Sequence, residues 1–425
     1  MKILIKGGRV IDPANNIDDI RDVLVDNTRI AKAGKNLNGG ADTIINAAGK
    51  IVMPGLVDMH VHLREPGRED KETVASGTAA ALKGGVTTVL AMPNTMPAID
   101  SDESVRLISS IIRDTARNHV MVCGTITRGR LGKELADVVK LKKAGVSAIS
   151  DDGSSVDDPE VLLKAMKKAR EQKMLVICHS EDKKLSAGGV MNLGAISTRL
   201  GLRGISDESE YKRIARDLAI AEKAKCSVHI AHVSCAESVD VIARAKKKGI
   251  RVTCETAPHY FSLTEEAVLD YDTNKKMNPP LRSSKDRDAV IQGLISGTID
   301  VIASDHAPHT VAEKETEFDR AEFGVTGLET ELGVAATYLI KPGLLTWADV
   351  CRKQALNPAR ILGIDKGTLS VGKDADIVIV DPLAEWMVAA DDFASKSKNS
   401  SFLGKRLTGK VVKTIYRGTV VYNAE

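Results

Sequence analysis

The sequence predicts an α/β protein, a (β/α)8 TIM barrel with a small β-sandwich domain formed from both termini. Eight short apolar runs lie between residues 55 and 304, and segments of helical periodicity separate them. Strands that alternate with helices form right-handed βαβ units, and eight such units close a barrel. The β-sandwich is predicted because both ends of the chain consist of short β-rich runs separated by Gly and Asn turn signals.

The elements follow in order along the chain. The predicted barrel strands are Gly55–Leu63, Val86–Met92, Val120–Ile126, Val146–Ser150, Met174–Cys178, Ser227–Val233, Arg251–Glu255 and Ile299–Ser304. The predicted helices between them include Glu72–Lys83, Val105–Arg117, Pro159–Glu171, Glu208–Lys225, Ala236–Lys248 and Ser284–Ser296. We expect the barrel to occupy residues 54–365 and a composite β-domain to be formed by residues 1–53 and 366–425. An open doubly wound sheet is the alternative, but no G-x-G-x-x-G motif follows the first strand.

Composition and charge exclude several classes of partner. The 425 residues include 60 Lys and Arg against 57 Asp and Glu, a net charge of +3, whereas nucleic-acid binders concentrate positive charge. The N-terminal MKILIKGGRVID lacks the apolar stretch of a signal peptide, and no apolar run is long enough to span a membrane. The six cysteines are scattered without a CxxC pair, as buried reduced thiols are. We therefore expect a cytoplasmic protein without a nucleic-acid or membrane partner.

Candidate metal ligands fall at the ends of the predicted barrel strands. They are His60 and His62 on the first strand, His179 on the fifth, His232 on the sixth and Asp305 on the eighth. Functional groups of such barrels lie at the carboxyl ends of the strands, and residues i and i+2 of a strand face the same side. Imidazole and carboxylate donors suit zinc, while cobalt, manganese and nickel stay open. Four histidines are too many for one open catalytic site, so the pattern predicts two metals with a bridging ligand.

The bridging ligand should come from a strand between the first and the fifth. The fourth strand ends in Asp151 and Asp152, of which only one can point into the barrel mouth, since adjacent residues of a strand face opposite sides. The other histidines are interpreted as structural. Those are His229, which should face away from His232, His119 at the start of its strand, His306, and His259, whose role is ambiguous.

Motifs along nearly the whole chain resemble the amidohydrolase superfamily, and more narrowly the class I (long, bacterial-type) dihydroorotases. They are GGRVIDP, PGLVDMHVHLREPG, AMPNTMP, ISDDG, CHSED, HVS, ETAPHY, MNPPLR, SDHAPH, EFGVTGLET, NPARILG and GTLSVGKDADIVIVD. The resemblance implies reversible cyclisation of N-carbamoyl-L-aspartate to (S)-dihydroorotate in de novo pyrimidine biosynthesis. It also implies two divalent metal ions, expected to be Zn²⁺, and a hydroxide that bridges them.

The resemblance also implies the roles of individual residues. It gives His60, His62 and Asp305 as ligands of the first metal, His179 and His232 as ligands of the second, and Asp152 as the bridge. Asp305 is in addition the implied catalytic acid/base. The implied substrate-binding residues are His62, Arg64, Asn94, Asn278, His309, Phe323 and Gly324. Arg64 offers the planar fork that matches a carboxylate, although a surface ion pair with Glu65 or Glu69 is the alternative.

Two alternative functions stay open. Barrels that open hydantoin or allantoin carry a carboxylated lysine near the end of strand four, and here no lysine lies between Lys143 and Asp152. The other alternative is a non-catalytic partner subunit of aspartate transcarbamoylase, which the intact ligand set disfavours. The expected partners are the small-molecule substrate and a second copy of the chain in a homodimer, and a contact with aspartate transcarbamoylase is considered. The charged stretch Thr310–Glu322 is interpreted as a mobile lid over the substrate.

Overall fold

The computed structural model of the protein describes residues 1–38 and 40–424. Its first part is an antiparallel β-structure in which β1 pairs with β2, and β2 with β3. The strands are β1 (Lys2–Asp12), β2 (Ile17–Asp26), β3 (Arg29–Gly34), β4 (Thr43–Asn46) and β5 (Ile51–Pro54). The other edge of β1 pairs in parallel with β4 and then with β5, so the sheet branches along that strand.

The centre of the molecule is a parallel sheet of eight strands that lie side by side in chain order. The strands are β6 (Leu56–Val61), β7 (Val86–Ala91), β8 (His119–Gly124), β9 (Ala148–Ser150), β10 (Leu175–Cys178), β13 (Val228–Ile230), β14 (Val252–Thr256) and β15 (Val301–Ile302), with a short parallel pair, β11 (Met191–Asn192) and β12 (Gly204–Ile205), in the connection after β10. The sheet closes where the backbone N–H of His62 donates to the carbonyl of His306 at 2.8 Å. This ring of eight strands confirms the predicted barrel.

Helices cover the outside of the barrel and connect its strands. They are α1 (Val74–Lys83), α2 (Asp102–Thr115), α3 (Val138–Lys143), α4 (Pro159–Glu171), α5 (Lys183–Ser186), α6 (Ala195–Leu200), α7 (Glu208–Ala224), α8 (Ala236–Lys247), α9 (Pro258–Ser262), α10 (Ser284–Ser296), α11 (Val311–Lys314), α12 (Glu331–Ala335), α13 (Trp347–Cys351) and α14 (Asn357–Leu362). Their starts follow local sequence signals. The carboxylate of Asp158 accepts the first free N–H groups of α4, and Pro159 occupies its first turn, where no amide donor is needed.

Successive side chains of each barrel strand point alternately into the barrel interior and toward the surrounding helices. The interior is filled by an apolar cluster that includes Leu90, Met121, Cys123, Ala148, Ile177, Ala231, Val301 and Ala303. The residues between them, such as Ile149, Val176 and Ile230, pack in the separate core between strands and helices. Any residue that continues an interior row past the end of its strand therefore points into the barrel mouth.

The C-terminal strands return to the sheet formed by the N-terminal ones. They are β16 (Ile377–Met387), β17 (Arg406–Tyr416) and β18 (Thr419–Asn423), and β16 pairs with β5 to complete an eight-stranded sheet. This sheet from both termini is the second part of the predicted architecture. The domain bounds at residues 54 and 366 stay a prediction. Within the described residues, no helix combines the length and apolarity needed to cross a membrane.

Candidate active site

The carboxylates of Asp151 and Asp152 separate because they continue different rows of β9. Asp152 follows the interior row of Ala148 and is 3% exposed at the barrel mouth. Asp151 follows Ile149 toward the helical layer, where it accepts hydrogen bonds from the backbone N–H groups of Ile126 and Thr127 at 2.8 and 3.0 Å. The structure thus places Asp152 in the mouth and Asp151 in the wall.

Asp152 lies among four histidines and close to the second carboxylate of the mouth. Its Oδ1 is 3.3 Å from His60 Nε2, 3.5 Å from His179 Nδ1 and 3.8 Å from His232 Nε2. Its Oδ2 is 3.5 Å from His62 Nε2. Asp305 Oδ1 completes the cluster at 3.6 Å from His60 Nε2 and 3.5 Å from His62 Nε2. All six predicted metal ligands are therefore brought together.

The donor set fits divalent cations. His60 Nε2 and Asp152 Oδ1 are buried and have no hydrogen-bond partner among the described residues, although such atoms are normally paired. Donors placed tetrahedrally at about 2.1 Å from zinc lie about 3.4 Å from each other, close to the spacings observed here. Two overlapping groups have ligand atoms within 4.8 Å of one another. They are His60, Asp152 and His232, and His60, His62 and Asp305.

Opposite charges control the protonation of this cluster. Burial opposes ionisation of the Asp152 carboxyl, but the rings of His60 and His179 outweigh it and hold the pKa of Asp152 well below its usual value. Burial likewise opposes the charged form of His179, yet hydrogen bonding to Asp152 and Glu181 raises its pKa to about 9. The pKa of Asp305 is lowered because His60 and His62 outweigh its burial. The carboxylates are ionised, as metal ligands must be.

Glu255 on β14 is a buried residue in contact with the candidate site that the sequence did not predict. Its Oε1 lies 2.6 Å from His60 Nδ1, and its Oε2 lies 3.2 Å from His229 Nε2. Burial disfavours the charged form of Glu255, but the two histidines outweigh it and lower its pKa. The carboxylate thus fixes the His60 ring so that Nε2 faces the barrel mouth. A buried acidic residue at the end of an apolar strand was the available signal.

The expectation that His229 faces away from His232 is wrong. Both point into the barrel, because β13 ends at Ile230 and His232 has a φ of +35°. This left-handed conformation breaks the alternation of the strand and turns the ring into the mouth. Arg64 and Asp305 also lie in the left-handed region, at φ of +61° and +48°. Such conformations cost energy in non-glycine residues and cluster at functional sites.

A cavity of about 590 Å³ opens above the cluster, within the range of small-molecule sites. Six of the seven predicted substrate-binding residues line its wall, and His309 is the one that does not. Burial lowers the pKa of the Arg64 guanidinium to about 10, so that it still carries its charge at neutral pH. The alternative ion pair of Arg64 does not form, since Glu65 and Glu69 instead accept backbone N–H groups at 2.7 Å. Arg64 is therefore a partly buried cation at the wall of the cavity.

His309 lies behind Arg64 and is held on both ring nitrogens. Its Nε2 is 2.8 Å from the carbonyl oxygen of Phe323 and 3.3 Å from the guanidinium of Arg64. Its Nδ1 is 3.1 Å from the ammonium of Lys71. Because burial and the neighbouring cations Arg64 and Lys71 lower the pKa of His309, the ring is neutral. The proton then lies on Nε2, which donates to Phe323, and Nδ1 accepts from Lys71.

Amide side chains and the predicted lid complete the wall. Asn94 Oδ1 lies 2.8 Å from His62 Nδ1, and Asn278 Nδ2 donates to Glu181 at 3.2 Å. The stretch 310–322 contains α11 and is tied down by Lys314, whose ammonium donates to the carbonyls of Glu322 and Gly324 at 2.8 and 3.0 Å. Asp319 of this segment lines the cavity.

The fold and this donor set place the protein in the class of metal-dependent amidohydrolases. A family model described as dihydro-orotase-like matches residues 49–238. The dihydroorotase of Elusimicrobium minutum is 51% identical over 418 residues, which are 98% of this chain and 97% of the relative. The dihydroorotase of Geotalea daltonii is 49% identical and covers 100% of both chains. The chain belongs to the dihydroorotase family.

Solved structures with the same fold are more distant. An L-hydantoinase from Arthrobacter aurescens superposes with a TM-score of 0.90 at 27% identity, over 99% of this chain and 96% of that chain. A dihydropyrimidinase from Brevibacillus agri superposes with a TM-score of 0.86 at 24% identity, over 100% and 95%. These structures share the barrel and the terminal sheet, while the sequence identity favours the dihydroorotases.

Proposed function

We propose that this member of the dihydroorotase family interconverts N-carbamoyl-L-aspartate and (S)-dihydroorotate, a step of de novo pyrimidine biosynthesis. The observation that carries the proposal is the partly buried guanidinium of Arg64, which lines the same cavity as Asp305. A guanidinium at the cavity wall selects a substrate with a carboxylate outside its ring, which dihydroorotate has and which hydantoin and allantoin lack.

Two divalent cations, Zn²⁺ by the chemistry of the donors, are proposed as cofactors. His60, His62 and Asp305 would hold the first, His179 and His232 the second, and Asp152 would be shared between them. Bound there, such cations make water a stronger nucleophile and polarise the ring carbonyl. Asp152 would supply the carboxylate that related barrels opening hydantoin or allantoin obtain from a carboxylated lysine.

Asp305 is proposed as the catalytic acid/base. Its lowered pKa keeps the carboxylate ready to accept a proton at neutral pH. In ring opening, the water oxygen forms a bond to the amide carbon, and the amide C–N bond breaks. The Asp305 carboxylate takes one proton of the water and transfers it to the departing ring nitrogen. In ring closure the same group works in reverse order.

The wall of the cavity is proposed to bind and orient the substrate. Arg64 and Asn94 would hold the carboxylate, and His62 contacts the same end through its bond to Asn94. His309 would support Arg64 and the peptide at Phe323 and Gly324, which faces the ring. Asn278 lines the same cavity, and its amide is proposed to bind the polar atoms of the ring.

Partners and a location of the protein are also proposed. We propose a homodimer in the cytoplasm, with a contact to aspartate transcarbamoylase as a further assembly. The six cysteines support the location, because all are buried and none is paired, as is usual in a reducing compartment.

A substrate panel tests the proposal. Zinc-loaded protein should hydrolyse dihydroorotate and cyclise carbamoyl aspartate, and turn over hydantoin and allantoin at least about 100-fold more slowly, since neither offers a carboxylate to the Arg64 guanidinium. The matched control is Arg64→Met, which should lose most of this preference. Faster turnover of hydantoin or allantoin than of dihydroorotate by the wild-type protein would overturn the assignment.

A further inference from the structure

A segment of the C-terminal domain packs against loops at the barrel mouth. The connection between β16 and β17 leaves the terminal sheet, and its residues 393–402, here named the strap, lie against the loops that follow β6, β14 and β15. The strap is polar yet buried: Ser395, Ser400 and Ser401 are 0% exposed. Buried hydroxyl and amide groups are retained only where they are hydrogen-bonded. Their partners show what the strap holds.

Hydrogen bonds on both sides of Asn399 fix the strap to three loops. The hydroxyl of Ser397 donates to the carbonyl of Lys71 at 2.7 Å, and that of Ser401 donates to the carbonyl of Asn274 at 2.7 Å. The carboxylate of Glu329 accepts the backbone N–H of Ala394 at 2.8 Å. These bonds give the middle of the strap a defined position above the cavity wall.

Asn399, in the middle of the strap, joins two parts of the proposed substrate site. Its Oδ1 accepts the backbone N–H of His309 at 3.2 Å, and its Nδ2 donates to the carbonyl of Gly324 at 3.1 Å. The two partners fix the orientation of the amide, since an N–H needs an acceptor and a carbonyl needs a donor. The backbone carbonyl of Asn399 also accepts the N–H of Thr326 at 3.0 Å.

The backbone of Gly324 is packed closely against its neighbours and has little room to move. Its φ is +133°, and an added Cβ would lie 2.8 Å from the carbonyl oxygen of Ala307 and 3.0 Å from His309 Nε2. The peptide therefore passes directly against the His309 ring, which touches Arg64. A shift of the backbone at Gly324 or at His309 would therefore disturb the whole group of residues that is proposed to bind the substrate carboxylate.

We infer that Asn399 is a positioning residue for substrate binding, which acts by clamping the His309 and Gly324 backbones in register. This inference rests on the proposed function, since it assumes that His309 and Gly324 border bound substrate. Because these groups bind the unreacting end of the substrate, their displacement weakens ground-state and transition-state binding alike. The kinetic signature is then a raised KM with little change in kcat.

The test uses Asn399→Leu, which keeps the side-chain volume and removes both hydrogen bonds, in the zinc-loaded enzyme. We expect the KM for dihydroorotate to rise about tenfold, with kcat within about twofold and zinc content unchanged. Ser400→Ala is the matched control, because it removes a hydrogen bond within the strap, from the N–H of Phe402 at 3.2 Å. Its KM should equal that of the wild type. A wild-type KM in Asn399→Leu, or the same rise in Ser400→Ala, would overturn the inference.

Residue-resolved hydrogen exchange gives a second readout that does not require turnover. In Asn399→Leu the amide of His309 should exchange at least about tenfold faster, while that of Thr326, which bonds to the retained backbone carbonyl, should keep its rate. Equal acceleration of both amides would mean that the strap detaches, and no acceleration of His309 would mean that Asn399 does not hold it; either contradicts the inference. If the Leu variant does not fold, Asn399→Ser is judged by the same criteria. Absence of dihydroorotate turnover in the wild type would instead refute the proposed function.

Discussion

Replacing Asp151 and Asp152 by asparagine, one at a time, should show which of the two carboxylates belongs to the proposed metal site and which to the barrel wall. Asp152→Asn keeps the side-chain shape but removes a charge that lies 3.3 to 3.8 Å from four ring nitrogens. Loss of a partner in the outer shell of a metal site costs about 10–100-fold in metal affinity, so loss of the shared donor itself should cost at least about 100-fold. Turnover should fall by about 10³-fold or more, equivalent to about 4 kcal/mol of activation free energy.

Asp151→Asn is the matched control. The asparagine carbonyl can still accept the N–H groups of Ile126 and Thr127, which Asp151 Oδ1 accepts at 2.8 and 3.0 Å. The Thr127 hydroxyl can turn to accept from the new amide, so we expect a loss of about 1–2 kcal/mol in the free energy of unfolding and wild-type zinc content. The test is to measure metal content, thermal unfolding and dihydroorotate turnover on both variants. If Asp151→Asn loses its zinc while Asp152→Asn keeps both ions, the assignment of the bridge is wrong by one residue.

Three further substitutions test single roles. Asp305→Asn should fold and bind substrate but lose about 10²–10⁴-fold in kcat, and a kcat within a few-fold of wild type would show that the proton uses another group. Arg64→Lys should raise the KM for dihydroorotate and carbamoyl aspartate more than it weakens competition by dihydrouracil, which lacks the carboxylate; equal effects would argue against Arg64 as the carboxylate receptor. Glu255→Gln should lower zinc affinity about 10–100-fold through the bond to His60, with His229→Gln as a milder comparison, and unchanged affinity in a zinc competition titration would refute its orienting role.

The barrel could be predicted because its signals are local. Each barrel strand is a short apolar run, and the predicted α4 and α10 have the bounds observed, since capping residues and helical periodicity define both. The pair of His60 and His62 could be predicted for the same reason, since the two stand two residues apart at a strand end. The choice of Asp152 over Asp151 came from the family resemblance, because strand alternation alone left both aspartates open.

The remainder of the site depends on tertiary context. Sequence alternation placed His229 and His232 on opposite faces, but the left-handed backbone at His232 brings both inside. Glu255 becomes important only because the closed barrel brings it to His60. Asn399 lies in a polar strap without periodicity, and its partners are 75 and 90 residues away in the chain. No local pattern specifies such contacts.

The central claim is that six side chains at the strand ends hold two cations that activate water for opening the dihydroorotate ring. The most direct measurement is a zinc titration of chelator-stripped protein, with bound zinc and dihydroorotate turnover recorded on the same samples. We expect no turnover without metal, two zinc ions bound per chain, and full activity when both ions are present. Full turnover in protein shown to contain no metal, or saturation of both binding and activity at one ion per chain, would contradict it.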